Sequence, residues 1–176
     1  MEIEITLGNS EPSRSCGTST LCCRLLPVKS LGKPANTRWQ YQRMSKGCTI
    51  YARRPFECQT WACRWLVDSE TSGLPRPDRA HYVIDIMPDY ITIDAEDGTE
   101  PVNIPVLQIW VDPAYPNAHR APVLREYMHR MAVEHDMAAL IRWDSKKAIT
   151  VFAPHFSADG QWHEREGMAM DREGIF

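Results

Sequence analysis

The sequence predicts an α+β fold: a loop-rich cysteine-cluster N-terminal half with a short helix, followed by an antiparallel sheet of hairpins with one amphipathic helix. Three observations predict it. Residues 82–152 hold alternating or β-branched runs separated by turn formers, the stretch from about Asn117 to His135 is apolar at helical spacing, and no periodicity is sustained between Cys16 and about Gly47. The boundaries expected from these patterns are 1–79 for the cysteine-cluster region, 80–156 for an antiparallel α+β region packed on it, and 157–176 for a peripheral tail.

Residues 1–7 read as a short strand, and the turn formers of 8–15 lead into Cys16. Pro27, Gly32 and Pro34 interrupt every helix in the next thirty or so residues except a turn around Leu21 to Leu26. Pro55 suits the first position of a helix, where its missing N–H costs nothing, and Phe56 to Val67 continues it. Cys58, Trp61, Ala62 and Trp65 then share one face. Residues 68–80, with Ser72-Gly73 and the Pro75/Pro77 pair, read as a linker or turn.

In the second half Tyr82–Met87 and Tyr90–Ala95 flank Pro88-Asp89, which predicts a hairpin, and Asp97-Gly98 marks a further turn. Val106–Val111 is a third strand. Leu124, Tyr127, Met128, Met131 and His135 give the helix an apolar stripe. Ala138–Trp143 and Ala148–Phe152 close the sheet as a hairpin around residues 144–147, and the polar residues from Ser157 onward form the tail, a possible contact for a protein partner.

Composition narrows the function. The chain of 176 residues is 43% hydrophobic, and its 22 Pro and Gly are near ordinary usage, so it is neither disordered nor collagen-like. With mean hydropathy of −0.41 and no apolar run approaching 18 residues, a membrane span is excluded. Met1-Glu2-Ile3-Glu4-Ile5 is acidic where a signal peptide is basic, so a reducing cytoplasmic location is expected. Charge is uneven: residues 1–66 carry ten Lys/Arg against four Asp/Glu, and residues 67–176 ten against nineteen.

All six cysteines, Cys16, Cys22, Cys23, Cys48, Cys58 and Cys63, lie in the basic part, where positive charge favours thiolates. A loop-rich half with few large aliphatics needs a constraint beyond a core, and thiol-bound metal supplies one. The competing readings are thiols serving as small buried hydrophobes, and three disulfides, for which nothing indicates an oxidising compartment. No CxxC pair is present. A tetrahedral zinc site needs sulfurs roughly 3.8 Å apart. On an unbroken helix Cys58 and Cys63 sit about 7.5 Å apart along the axis and about 140° around it, so either the helix breaks or they serve different positions of a larger cluster. Adjacent Cys22 and Cys23 diverge if extended, so a single site uses one of them unless the backbone is turned.

The residues Cys16-Gly17-Thr18-Ser19-Thr20-Leu21-Cys22-Cys23, Lys33-Pro34-Ala35, Gly47-Cys48-Thr49-Ile50-Tyr51, Arg54-Pro55, Cys58, Cys63-Arg64-Trp65-Leu66 and Arg76-Pro77-Asp78-Arg79 resemble the YkgJ-like bacterial cysteine-cluster family, described as zinc- or iron-chelating. That family's pattern runs CGxCTxCC, KPA, CxxC, GCxIYxxRPxxC, CxWL, and the likeness covers residues 16–79. The resemblance implies a thiolate cluster holding zinc or iron, an iron-sulfur centre included, and implies no reaction. Ser19, Trp39 and Gln42 stand where the family has cysteines, and none of the three is a good ligand for a soft metal.

Other candidates are weaker. Arg53, Arg54 and Arg64 with Trp39, Tyr41, Trp61 and Trp65 could form a basic stacking surface for nucleic acid; the plainer reading makes the tryptophans an apolar shell for the thiols and the arginines their counter-charges, and the acidic second half disfavours nucleic acid. Glu126 and His129 have a di-iron spacing but fall opposite the apolar stripe; His135 falls on it as a half-buried histidine, and His155 and His163 could approach the thiols. Asp94, Glu96 and Asp97 fall in a turn. No catalytic signature is present, which makes an enzyme the weaker expectation. The expected function is a small metal-binding protein. The alternatives are a metal-free structural or interaction module, such as a subunit of a larger assembly, and redox chemistry by Cys22/Cys23 or Cys58/Cys63.

Overall fold

The computed structural model describes residues 14–94 and 100–168. The expected strand at 1–7, the Asp97-Gly98 turn, Glu96 and the last eight residues lie outside them. The fold is α+β, organised on a six-stranded sheet. Its centre is β5 (Val102–Val111), joined through α5 (Pro122–His135) to the parallel neighbour β6 (Ala138–Arg142). From there β7 (Lys147–Phe152) and β8 (His163–Met168) follow antiparallel. The sheet is therefore mixed, with one parallel pair where a wholly antiparallel sheet was expected.

Two expectations fail in the first strands. β3 (Tyr82–Ile84) and β4 (Asp89–Ile93) do not form a hairpin: both lie antiparallel along the same edge of β5, β3 against residues 109–111 and β4 against 102–106. Because both oppose β5 they run in the same direction, and the chain jogs between them where the Asp85 carboxylate accepts the Met87 N–H at 3.0 Å. Residues 68–80 are not a linker either. Thr71, Leu74, Pro77 and Ala80 are buried, and the short helix α4 (Pro77–Ala80) leads directly into β3.

The period-two alternation of the strands assigns the two sheet faces. Leu107, Ile109 and Val111 of β5, with Ala139 and Ile141 of β6, meet Leu124, Tyr127, Met128 and Met131 of α5, which recur at i, i+3, i+4 and i+7 as expected. Pro122 opens the helix and Asp136, at φ 52°, closes it. His135 belongs to the last turn and is exposed, not half-buried as its spacing suggested; its Nε2 lies 4.0 Å from Glu70. On the opposite face Trp110 and Val83 meet Leu21, Leu25 and Cys63, so the N-terminal half packs on the sheet as a third layer.

Residues 163–168 of the expected peripheral tail form the edge strand β8, paired with β7 along its whole length. It is clamped from the side by Glu164, whose carboxylate accepts from Arg120 at 2.7 Å and Arg125 at 2.6 Å, with His119 3.8 Å away. Partial burial raises the Glu164 carboxyl, and the two guanidinium bonds outweigh this and hold it below its usual range. A carboxylate depressed in the folded state contributes stability above its unfolded value, about pH 4.3, and loses it as pH falls. Glu164→Gln is expected to cost about 1–2 kcal/mol at pH 7. In urea titrations that difference should shrink towards zero between pH 5 and pH 3; a constant difference across that range contradicts the clamp.

Candidate thiolate site

Five segments deliver the six thiols. Cys16 stands at the start of the first described loop, Cys22 and Cys23 on α1 (Leu21–Leu25), and Cys48 at the end of a two-stranded hairpin, β1 (Gln42–Arg43) and β2 (Gly47–Cys48). Cys58 lies in α2 (Phe56–Thr60), and Cys63 is the residue before α3 (Arg64–Val67). The helix expected over 56–67 is thus broken. Trp61 is extended at φ −102°, ψ 137°, and its indole N–H donates to Asp85 at 2.8 Å, while Cys63 bridges the Asp85 backbone. Tertiary bonds to the sheet outcompete helix propagation here, and the break turns Cys63 inward to the buried layer. Cys22 and Cys23 meet the other condition, because their backbone is turned into a helix rather than extended.

Gly47 explains how the hairpin reaches the first loop. Its φ is +82°, and a Cβ there would stand 2.9 Å from the carbonyl oxygen of Gly17. Only glycine permits this approach of backbone to backbone, which brings the Cys16 and Cys48 loops together.

All six cysteines line one cavity of about 310 Å³ between the N-terminal layer and the sheet. All six are free thiols. Ser19 and Trp39 line the same cavity; Gln42 does not, being buried with its Nε2 donating to Thr20 Oγ1 at 2.8 Å. Among the described residues no three cysteine sulfurs lie within 4.8 Å of one another; the one such group of potential ligands is Glu70, Glu134 and His135, all exposed on the far side of α5. The thiols surround the cavity rather than converging on a point.

Their electrostatics centre on Cys23. The Cys22 thiol donates to Cys23, which lowers Cys23 to about 7 against the opposing effect of burial, with the Lys33 and Arg54 cations helping. Cys22 rises well above its ordinary value, first through that same bond and then through burial. Burial also raises Cys16 and Cys58, each facing Cys23, and pushes Cys63 up to about 11. Cys23 is thus lowered first by the Cys22 bond, with the basic surroundings assisting, while desolvation prevails at Cys16, Cys58 and Cys63.

Lys33 is buried, and its ammonium donates to the carbonyls of Arg24 (3.2 Å), Leu26 (2.5 Å) and Pro34 (3.2 Å). It ties the loop after α1 to the segment beyond it and places a cation behind Cys23. No family model, curated protein or solved structure matches the chain.

The sheet side of the cavity escaped the sequence reading. Asp85, Gln108, Trp110 and Arg142 form it, with the Arg142 guanidinium 5.6 Å from the Trp110 ring centroid. Burial raises the Asp85 carboxyl, opposed by the bonds from Trp61 and the Met87 N–H. Trp110 is 7% exposed, and its indole N–H has no hydrogen-bond partner among the described residues. The signal available in the sequence was a charge inside an apolar strand, Asp85 after Tyr82-Val83-Ile84 and Arg142 after Ala138–Ile141.

The remaining candidates are placed elsewhere. Trp65 donates to Leu74 O at 3.0 Å and Arg64 pairs with Asp68, so both serve the core around α3. Glu126 and His129 are exposed, as expected. His155 bonds Asp136, and His163 bonds Asp159, both at 3.0 Å and neither at the thiol cavity. No helix among the described residues is long and apolar enough to cross a membrane.

Proposed function

We propose that the cavity holds a metal centre ligated by four or more of the six thiolates, and that the protein is a metal-binding protein of the cysteine-cluster kind. The observation that carries this reading is the arrival of all six cysteines, from five separate segments, at one cavity. Thiols buried merely as small hydrophobes have no reason to share one.

The donor set also discriminates between centres. A single zinc ion needs sulfurs roughly 3.8 Å apart, and the wider spacing around the cavity fits a polynuclear iron-sulfur centre better, because inorganic atoms then span the gap between thiolates. Cys16, Cys22, Cys23, Cys48, Cys58 and Cys63 are the available ligands, and Cys23 is the one whose thiolate its surroundings favour. Lys33 and Arg54 offset the negative charge of a thiolate cluster. Raised thiols must lose protons on ligation, so metal binding should release protons and weaken as pH falls. A reducing compartment such as the cytoplasm keeps those thiols available.

Protein purified without oxygen is expected to be coloured, with visible absorption that bleaches on reduction. Colourless protein with one zinc per chain would replace the iron-sulfur centre by a zinc site. Protein with neither metal would favour the metal-free interaction module.

A further inference from the structure

The N-terminal layer has an outer surface that starts at the rim of the cavity, where Tyr51 and Arg54 line it, and continues over Met44, Lys46, Arg53 and Phe56, which do not line it and which the thiols do not explain. From Pro12 to Phe56 the chain carries nine Lys/Arg and no Asp/Glu. Some of these cations face inward, such as Lys33. The outward ones cluster with large side chains that a monomer would ordinarily hide: Tyr51 is 50% exposed, Phe56 73% and Met44 76%.

These residues are held together locally. The β1–β2 turn presents Met44 and Lys46 around Ser45, which adopts φ 58°. The Thr49 N–H donates to Tyr41 O at 2.9 Å, which ties the Tyr41 backbone to the segment leading to Tyr51. Arg54 stacks on one face of Tyr51 at 3.9 Å, Arg53 is exposed next to it, and Phe56 opens α2. The first acid after this stretch, Glu57, is drawn to the Ser30 hydroxyl.

We infer that this surface binds a single-stranded nucleic acid, its cations tracking the phosphates and Tyr51 and Phe56 stacking on unpaired bases. Charge complementarity selects a polyanion, and the exposed aromatic rings select one that offers flat faces, which an acidic peptide lacks. The tryptophans considered from the sequence are not the platform, since Trp61 and Trp65 are bonded inward. The acidic second half does not forbid the contact, because charges beyond about 8 Å are screened at physiological salt.

The test is fluorescence anisotropy of a labelled oligothymidylate of about 15 nucleotides with the full chain, between about 50 and 200 mM salt. Binding that weakens with salt is expected. In Lys46→Ala/Arg53→Ala the slope of log K against log salt should fall by about 1.4, from about 0.7 per phosphate contact in single strands. Phe56→Ala should weaken binding at least about fivefold and leave that slope unchanged. All three side chains are exposed, and melting curves confirm that the variants fold. Absence of binding at 50 mM salt, variants that bind like the parent, or equal affinity for a labelled polyglutamate of matched charge would each overturn the inference. Neither result depends on what the thiol cavity holds.

Discussion

Replacing Cys23 by serine is expected to empty the site of most of its metal and to lower Tm by about 8–16 °C. The reasoning starts from position. Cys23 lines the cavity with the other five thiols and is hydrogen-bonded by Cys22, it acts electrostatically on Cys16 and Cys58, and the Lys33 and Arg54 cations favour its thiolate. A centre occupied at a thousand times its dissociation constant stabilises the folded chain by about 4 kcal/mol, and each 1 kcal/mol moves Tm by about 2–4 °C in a chain of this length. In a protein without metal the same substitution exchanges one half-buried thiol for a hydroxyl, and a shift of at most a few degrees follows. The two accounts therefore differ severalfold in one melting curve. Cys48 and Cys58, inside the Gly47–Cys58 block, should come next in effect, with Cys16, near Ser19, behind them. A Cys23→Ser protein with the parent's metal content and Tm contradicts the assignment.

Lys33→Met is expected to destabilise the chain by about 3 kcal/mol. Three carbonyls share its ammonium, and a thioether-methyl group of similar length satisfies none of them. A buried acceptor left without a donor costs about 1–3 kcal/mol, and because Arg24 and Leu26 are only partly buried and Pro34 is exposed, water entry recovers part of the sum over the three. The effect should appear in urea titration as a lower midpoint with an unchanged slope. Lys33→Arg should fail to restore the parent value, because a planar guanidinium cannot place three donors around the point that the ammonium occupies. A midpoint within experimental error of the parent for Lys33→Met would mean that the loop after α1 is held by something else.

What the sequence made legible follows from which signals are local. The stripe of Leu124, Tyr127, Met128 and Met131 needs no partner to be recognised, and α5 is found where it was expected, as is the β6–β7 hairpin around residues 144–147. Strand pairing is not local. Within the runs read as extended chain, Tyr82–Ile84 and Tyr90–Ile93 are strand, yet period two carries no information on which strand lies alongside, and β5 took both. The break at Trp61 was equally hidden, since the indole bond to Asp85 spans 24 residues. The cysteines show the same division. Their clustering was legible as composition, while Asp85, Trp110 and Arg142 reach the cavity only through the topology of the sheet.

The central claim is that thiolates of this cavity ligate a metal centre, and X-ray absorption at the bound metal tests it most directly. The expected result is an iron edge with a shell of sulfur neighbours at about 2.3 Å, diminished in Cys23→Ser. A shell of nitrogen and oxygen alone, or an anaerobically purified chain with no metal edge to measure, would contradict it.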